Sequence, residues 1–147
     1  MAHQELLQLV YTSTAHGRMK SDAVRAIVET ARRTNPSLDI TGLLLFDGLH
    51  FFQVLEGPAE KVESLYEHIA KDPRHTRVVR ILSHKVKDRN FGDWSMAYSE
   101  ARPEDLAQID GLSDHFRDGG GFANLRSGQA KLLINAFLNG IWGNRAA

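Results

Sequence analysis

Apolar and polar positions alternate from Glu5 to Ser13. Leu7, Leu9, Tyr11 and Ser13 fall on one face and Leu6, Gln8, Val10 and Thr12 on the other, which is the period of a strand. The period then lengthens. Ser21 stands where an N-cap belongs, Asp22 follows where the helix dipole favours an acid, and Val24, Ile27, Val28 and Ala31 form one apolar face of a helix. Pro36 disfavours helical geometry at Asn35, so this helix should end near Thr34. Ile40 to Phe46 is apolar on both faces, as a central strand would be. Asp47-Gly48 predicts a two-residue hairpin loop and Leu49 to Leu55 the returning strand. That loop would pair Phe46 with Leu49, Leu44 with Phe51 and Gly42 with Gln53, leaving a space beside the Gln53 amide where something flat could lie.

Glu56-Gly57-Pro58 should break the strand, and Val62, Leu65, Tyr66 and Ile69 mark a second amphipathic helix. Asp72-Pro73-Arg74-His75 should end it. Arg77 to Val86 alternates loosely as a fourth strand, and Trp94, Met96 and Tyr98 alternate with Ser95 and Ala97 as a short fifth. The order is βαββαββ, which predicts an α+β, ferredoxin-like mixed sheet with two helices on one face. After Pro103 the character changes. Leu106, Ile109 and Leu112 suggest a short helix, Asp118-Gly119-Gly120-Gly121 a break, and Gln129 to Trp142 a helix apolar around most of its circumference. Such a helix needs cover from the open sheet face or from another subunit, so capping helices and a homo-oligomer are both expected.

The 147 residues suit one compact unit with a core, residues 1–100, and a helical extension, residues 101–147. Eighteen basic and 18 acidic side chains balance, which argues against a nucleic-acid partner. No apolar run is long enough for a membrane span and no signal peptide is expected, which fits a cytoplasmic protein. With no cysteine, disulfides, thiolate metal sites and cysteine nucleophiles are excluded, and the seven histidines lack metal-ligand spacing.

The candidate chemistry starts at Gln53, a side-chain amide inside the run Phe51-Phe52-Gln53-Val54-Leu55. Buried without partners, it would cost about 1–3 kcal/mol, so it meets either a buried polar partner or a polar ligand. If the first strand lies near the third, Tyr11 could hydrogen-bond Gln53, and Asn35 and the pair Trp94 and Met96 could close the same site. Singly, each has an ordinary reading: a core tyrosine, a structural amide hub, a helix-end asparagine, a core W-x-M pair, a solvated Arg74-His75 turn.

Together they carry a resemblance. Asn35 followed by Ile40-Thr41-Gly42-Leu43-Leu44, then Phe51-Phe52-Gln53-Val54-Leu55-Glu56-Gly57, closely resembles the BLUF domain, the blue-light sensor that uses FAD. So do Leu9-Val10-Tyr11-Thr12-Ser13, Asp72-Pro73-Arg74-His75 and Arg89-Asn90-Phe91-Gly92-Asp93-Trp94-Ser95-Met96, over roughly residues 4–99. The resemblance implies FAD bound non-covalently between the two helices, with Tyr11 the redox tyrosine, Gln53 the switching amide and Asn35 holding the flavin's polar edge. It places Arg74 and His75 near the flavin or its ribityl-phosphate chain, and Trp94 and Met96 on the strand that carries the signal. No stretch after residue 99 is long enough for a cyclase or phosphodiesterase. The expectation is therefore a photoreceptor that is not an enzyme and signals to a separate effector protein, by family analogy a cyclic-di-GMP signalling enzyme. Two other readings are a flavin-binding module without photochemistry and an acylphosphatase-like small hydrolase. The second would use Arg18, but Thr12 to Arg18 offers no convincing phosphate cradle.

Overall fold

The computed structural model describes residues 5–15, 21–73, 75–92, 95–101, 103–109, 111–117, 122 and 125–138. Strand β1 spans Leu6–Ala15, helix α1 Ser21–Thr34, β2 Thr41–Phe46, β3 His50–Pro58, α2 Ala59–Ala70, β4 His75–Val86 and β5 Ala97–Glu100. The short helices α3 (Pro103–Leu106) and α4 (Ser113–Arg117) and the longer α5 (Ser127–Leu138) follow. The strands form one mixed sheet in the order β4-β1-β3-β2-β5. All neighbours are antiparallel except β2 and β5, which run parallel. This is the α+β, ferredoxin-like arrangement that the βαββαββ pattern predicts. Helix α1 ends at Thr34 as expected, but the chain turns once more as a 3-10 helix, Asn35–Leu38, with Pro36 in its first turn and Asp39 left-handed behind it (φ 57°).

The alternation in the strands separates two apolar layers. Leu7, Leu9, Tyr11, Leu44, Phe51 and Leu55 face α1 and α2, packing against Val24, Val28 and Val62. Val10, Leu43, Leu45, Phe52 and Val54 face the other way, against Leu112, Phe116, Phe122, Leu133, Ile134 and Phe137 of the C-terminal segment. The apolar side of α5 is thus covered by the sheet of its own chain.

The hairpin register differs from the expectation. Asp47 N donates to His50 O (3.1 Å), and Asp47 Oδ1 accepts from the Leu49 and His50 amides (2.9 and 2.6 Å), so the loop is Gly48-Leu49, with Gly48 at φ 102°. Phe46 therefore pairs with Phe51, Leu44 with Gln53 and Gly42 with Leu55. Gly42 does not open a space for a ligand. A Cβ there would lie 2.0 Å from the carbonyl oxygen of Val54, so the glycine answers a close backbone approach. Nor do Glu56-Gly57-Pro58 break β3: all three pair with β1, Pro58 at the strand end where its missing N–H is tolerated. Met96 lies just ahead of β5 rather than in it.

Candidate functional site

Strands β1 and β3 are direct neighbours and Tyr11 is the register partner of Gln53. Cross-strand partners project to the same face, so the fold brings the phenol and the amide together by pairing alone. Both are buried, Tyr11 at 1% and Gln53 at 6% exposure. The Tyr11 hydroxyl donates to Gln53 Oε1. The amide nitrogen of Gln53 donates to Met96 Sδ at 3.6 Å, a weak acceptor. Burial pushes the Tyr11 phenol well above its ordinary titration range, with Tyr66 and Asp72 adding to the effect.

Asn35, 1% exposed in the 3-10 turn, donates from Nδ2 to the Ser95 carbonyl at 2.8 Å. Next to it, Arg32 Nε donates to the Met96 carbonyl at 3.0 Å. Residues on α1 and its 3-10 extension thus hold the backbone just ahead of β5, while the Met96 side chain reaches Gln53. Around the phenol, the Tyr66 ring meets Tyr11 edge-on at 5.4 Å, and the Arg80 guanidinium lies 4.7 Å above Tyr66. Glu63 holds that guanidinium with bonds of 2.6 and 3.2 Å, and this hydrogen bonding raises the Arg80 pKa.

A cavity of about 480 Å³ opens between α1 and α2 over these groups. Tyr11, Leu44 and Gln53 form its floor, Ile27, Thr30, Ala31 and Thr34 one wall, and Lys61, Ser64, Leu65, His68 and Ile69 the other, with Asn35, Leu38 and Asp72 at its edges. Apolar positions on both facing helices, the buried amide of Gln53 at the floor, that of Asn35 at the edge and the exposed Lys61 suit a flat polycyclic ring with a polar edge and an anionic tail. The volume lies within the range of about 300–1,000 Å³ usual for small-molecule sites. The donor set therefore fits a flavin.

Of the sequence candidates, Tyr11, Gln53, Asn35 and Met96 converge here. Arg74 and Trp94 lie outside the described residues, and of His75 only the backbone is described, opening β4 opposite Ala15. Reading the sequence missed Lys61, Ser64, His68 and Asp72. Their signal was present: with Leu65 and Ile69 they recur at helical spacing along one stripe of α2 and just beyond, but only the apolar members were counted. Nothing in the spacing pointed to Arg32.

A family model described as "BLUF: Sensors of blue-light using FAD" matches residues 6–97. The blue light- and temperature-regulated antirepressor BluF of Escherichia coli (strain K12) is 39% identical over 97 residues, which cover 66% of this chain and 24% of that protein. The chain spans a quarter or less of the length of the curated relatives it matches first. Among solved structures, one described as the BlsA photo-activated state aligns with a TM-score of 0.75 at 28% identity, covering 90% of this chain and 94% of that one. Klebsiella pneumoniae BlrP1 with FMN and cyclic diGMP aligns with a TM-score of 0.64 at 36% identity, covering 91% of this chain and 34% of that one.

Proposed function

The chain belongs to the BLUF family of blue-light sensors using FAD, and from that membership we propose that Tyr11 and Gln53 are its photoactive pair. One observation carries the reading: the buried Tyr11 hydroxyl donates to Gln53 Oε1 on the floor of a cavity that fits a flavin. BLUF domains bind flavin, and the family is a sensor module rather than an enzyme. We take FAD as the form bound here, since that is the flavin the family description names, although BlrP1 is described with FMN.

Asn35 and Gln53 would hold the flavin's polar edge, Leu44, Leu65 and the α1 wall its ring, and Lys61 and His68 its anionic tail. Arg74 and His75 remain proposed neighbours of that tail. When bound, the flavin supplies the blue-light absorption and the redox step. Tyr11 holds its proton on a bond to Gln53, in surroundings that disfavour tyrosinate, so loss of an electron from the phenol must be accompanied by loss of the proton. Gln53 Oε1 is where that proton can go. The phenol regains a proton with the returning electron, and the amide is left either turned, its two ends exchanged between Tyr11 and Met96, or tautomerised, a proton moved from Nε2 to Oε1 with both ends in place. No cysteine is present to form a covalent adduct.

The output proposed is a changed contact at Met96, together with Trp94, passed to an effector protein. A cyclic-di-GMP signalling enzyme is the class favoured by the likeness to BlrP1. Self-association would need a surface other than α5's apolar side; Leu49, Val79 and Leu132 are the large apolar side chains exposed among the described residues. No helix among those residues is long and apolar enough to cross a membrane, and a cytoplasmic location is proposed. A light-minus-dark absorption spectrum tests the whole reading. A reversible small red shift without bleaching is expected. A static flavin spectrum would instead support a dark flavin-binding module, and bleaching to an adduct would exclude the proposed chemistry.

A further inference from the structure

The side of the sheet that faces the C-terminal helices is mostly apolar, and one row of polar residues crosses it. His84 on β4, Gln8 on β1, Glu56 on β3 and Thr41 on β2 are successive register partners, so they form a line across four strands. Glu56 is its centre and has no exposed surface. Its carboxylate accepts three hydrogen bonds: Gln8 Nε2 at 2.7 Å and the Asn90 amide at 3.1 Å on Oε2, and the Phe91 amide at 2.8 Å on Oε1. Gln8 Oε1 in turn meets His84 Nε2 at 2.9 Å. Beside it, Arg89 donates to Thr41 Oγ1, to the Glu56 and Asp39 carbonyls, and pairs with the Asp39 carboxylate at 3.1 Å.

A carboxylate that takes two successive backbone amides fixes the path of that backbone. The backbone in question is the connection from β4 to β5. Phe91, pinned by its amide, inserts its ring 6.4 Å from Phe137 of α5. Four residues later the same connection reaches the opposite side of the sheet, where the Ser95 carbonyl takes Asn35, the Met96 carbonyl takes Arg32 and the Met96 sulfur takes Gln53. Four residues, at most about 14 Å of chain, separate the two holds.

We infer that Glu56 is a positioning residue of the light response. It anchors the 89–91 segment, and so sets both where Met96 rests against Gln53 and how Phe91 meets α5. This rests on the reading of Tyr11 and Gln53 as the photoactive pair. Glu56 touches neither the cavity nor Gln53, so it acts through the segment alone.

The test uses the flavin-loaded full chain and measures dark-recovery rate alongside melting temperature. Glu56→Gln puts an NH2 where one oxygen accepts, setting a donor against a donor. The red shift should survive, while dark recovery should change by about tenfold, the order expected from loss of a charge-assisted hydrogen bond. Gln8→Leu removes a partner of the same carboxylate but leaves the loop amides on it. It should change recovery by less than about twofold, because both loop amides keep their acceptor. In a Met96→Leu background, Glu56→Gln should add nothing further. Should Glu56→Gln fail to fold, Asn90→Pro deletes one of the two loop amides from the exposed side and should shift recovery as well. The inference is overturned if Glu56→Gln, or Asn90→Pro in its place, recovers at the wild-type rate. It is equally overturned if Gln8→Leu and Glu56→Gln shift recovery alike, in step with melting temperature. In either case a normal wild-type red shift leaves the Tyr11–Gln53 reading standing. A wild-type chain with no red shift overturns that reading and this inference together.

Discussion

Among the described residues the hydroxyl of Tyr11 has one partner, Gln53 Oε1, and removing it leaves a buried acceptor without that donor. Tyr11→Phe should cost about 1–3 kcal/mol in urea unfolding. It should keep the flavin, because the ring packing against Tyr66 is retained, and should abolish the light-induced red shift. A normal photocycle in this variant would remove Tyr11 from the mechanism. Burial also sets a pH dependence. The folded pKa of Tyr11 is raised above the ordinary tyrosine value of 10.0, so the unfolded chain releases this proton first as pH rises. The stability due to the group is therefore whole below about pH 10 and falls above it. Half-buried Tyr98, pushed up to about 12 chiefly by desolvation, acts in the same direction. Unfolding midpoints at pH 8 and above pH 10 should drop further for wild type than for Tyr11→Phe, since both keep Tyr98. Gly42 shows how a residue can be conspicuous in sequence for the wrong reason. Its missing side chain suggests room for a ligand, yet a Cβ would strike the Val54 carbonyl. Gly42→Ala should therefore destabilise by about 3 kcal/mol or more, as overpacking against rigid backbone does, and should lower the melting temperature rather than merely crowd the flavin.

Elements were legible wherever one face is buried and the period is clean. The strand β1, the end of α1 before Pro36 and the second helix all follow from spacing that a half-buried strand or helix must show. The hairpin register was not legible. Asp47-Gly48 and Gly48-Leu49 are both two-residue loops on the same hydrophobic pattern, and sliding from one to the other moves the pairing by two positions without changing which face any residue occupies. The Asp47 carboxylate, which caps two amides, decides between them. Helix α5 is a similar case. Its apolar circumference showed that it must be covered but not by what. Leu133, Ile134 and Phe137 face the sheet. Phe137→Ala should cost about 3–5 kcal/mol and, through the Phe91 contact, should alter dark recovery while leaving the flavin spectrum in place. An unchanged recovery rate would show that α5 does not feel the β4–β5 connection.

At the scale of the whole molecule the sheet is a partition between two layers with different duties. The side under α1 and α2 carries the cavity and the Tyr11–Gln53 pair, and the other carries α3 to α5. Removing residues 101–147 would uncover Val10, Leu43, Leu45, Phe52 and Val54 together. Such a truncated chain should keep its yellow colour, because the cavity is lined by none of the residues lost, but should aggregate or bind a hydrophobic dye. A soluble, monomeric truncated chain would show that the extension is dispensable for covering the sheet. The amino-acid order by itself determined the succession of elements, the two faces of each strand, the candidates Tyr11, Gln53, Asn35 and Met96, and the family, because periodicity and motif spacing are local properties of the chain. Only the tertiary structure decided the hairpin register, the covering of α5 and the joining of Lys61 and His68 to the cavity. It alone set the row of Gln8, Glu56 and His84 in line, since residues up to 76 positions apart meet there through strand pairing, which local spacing does not encode.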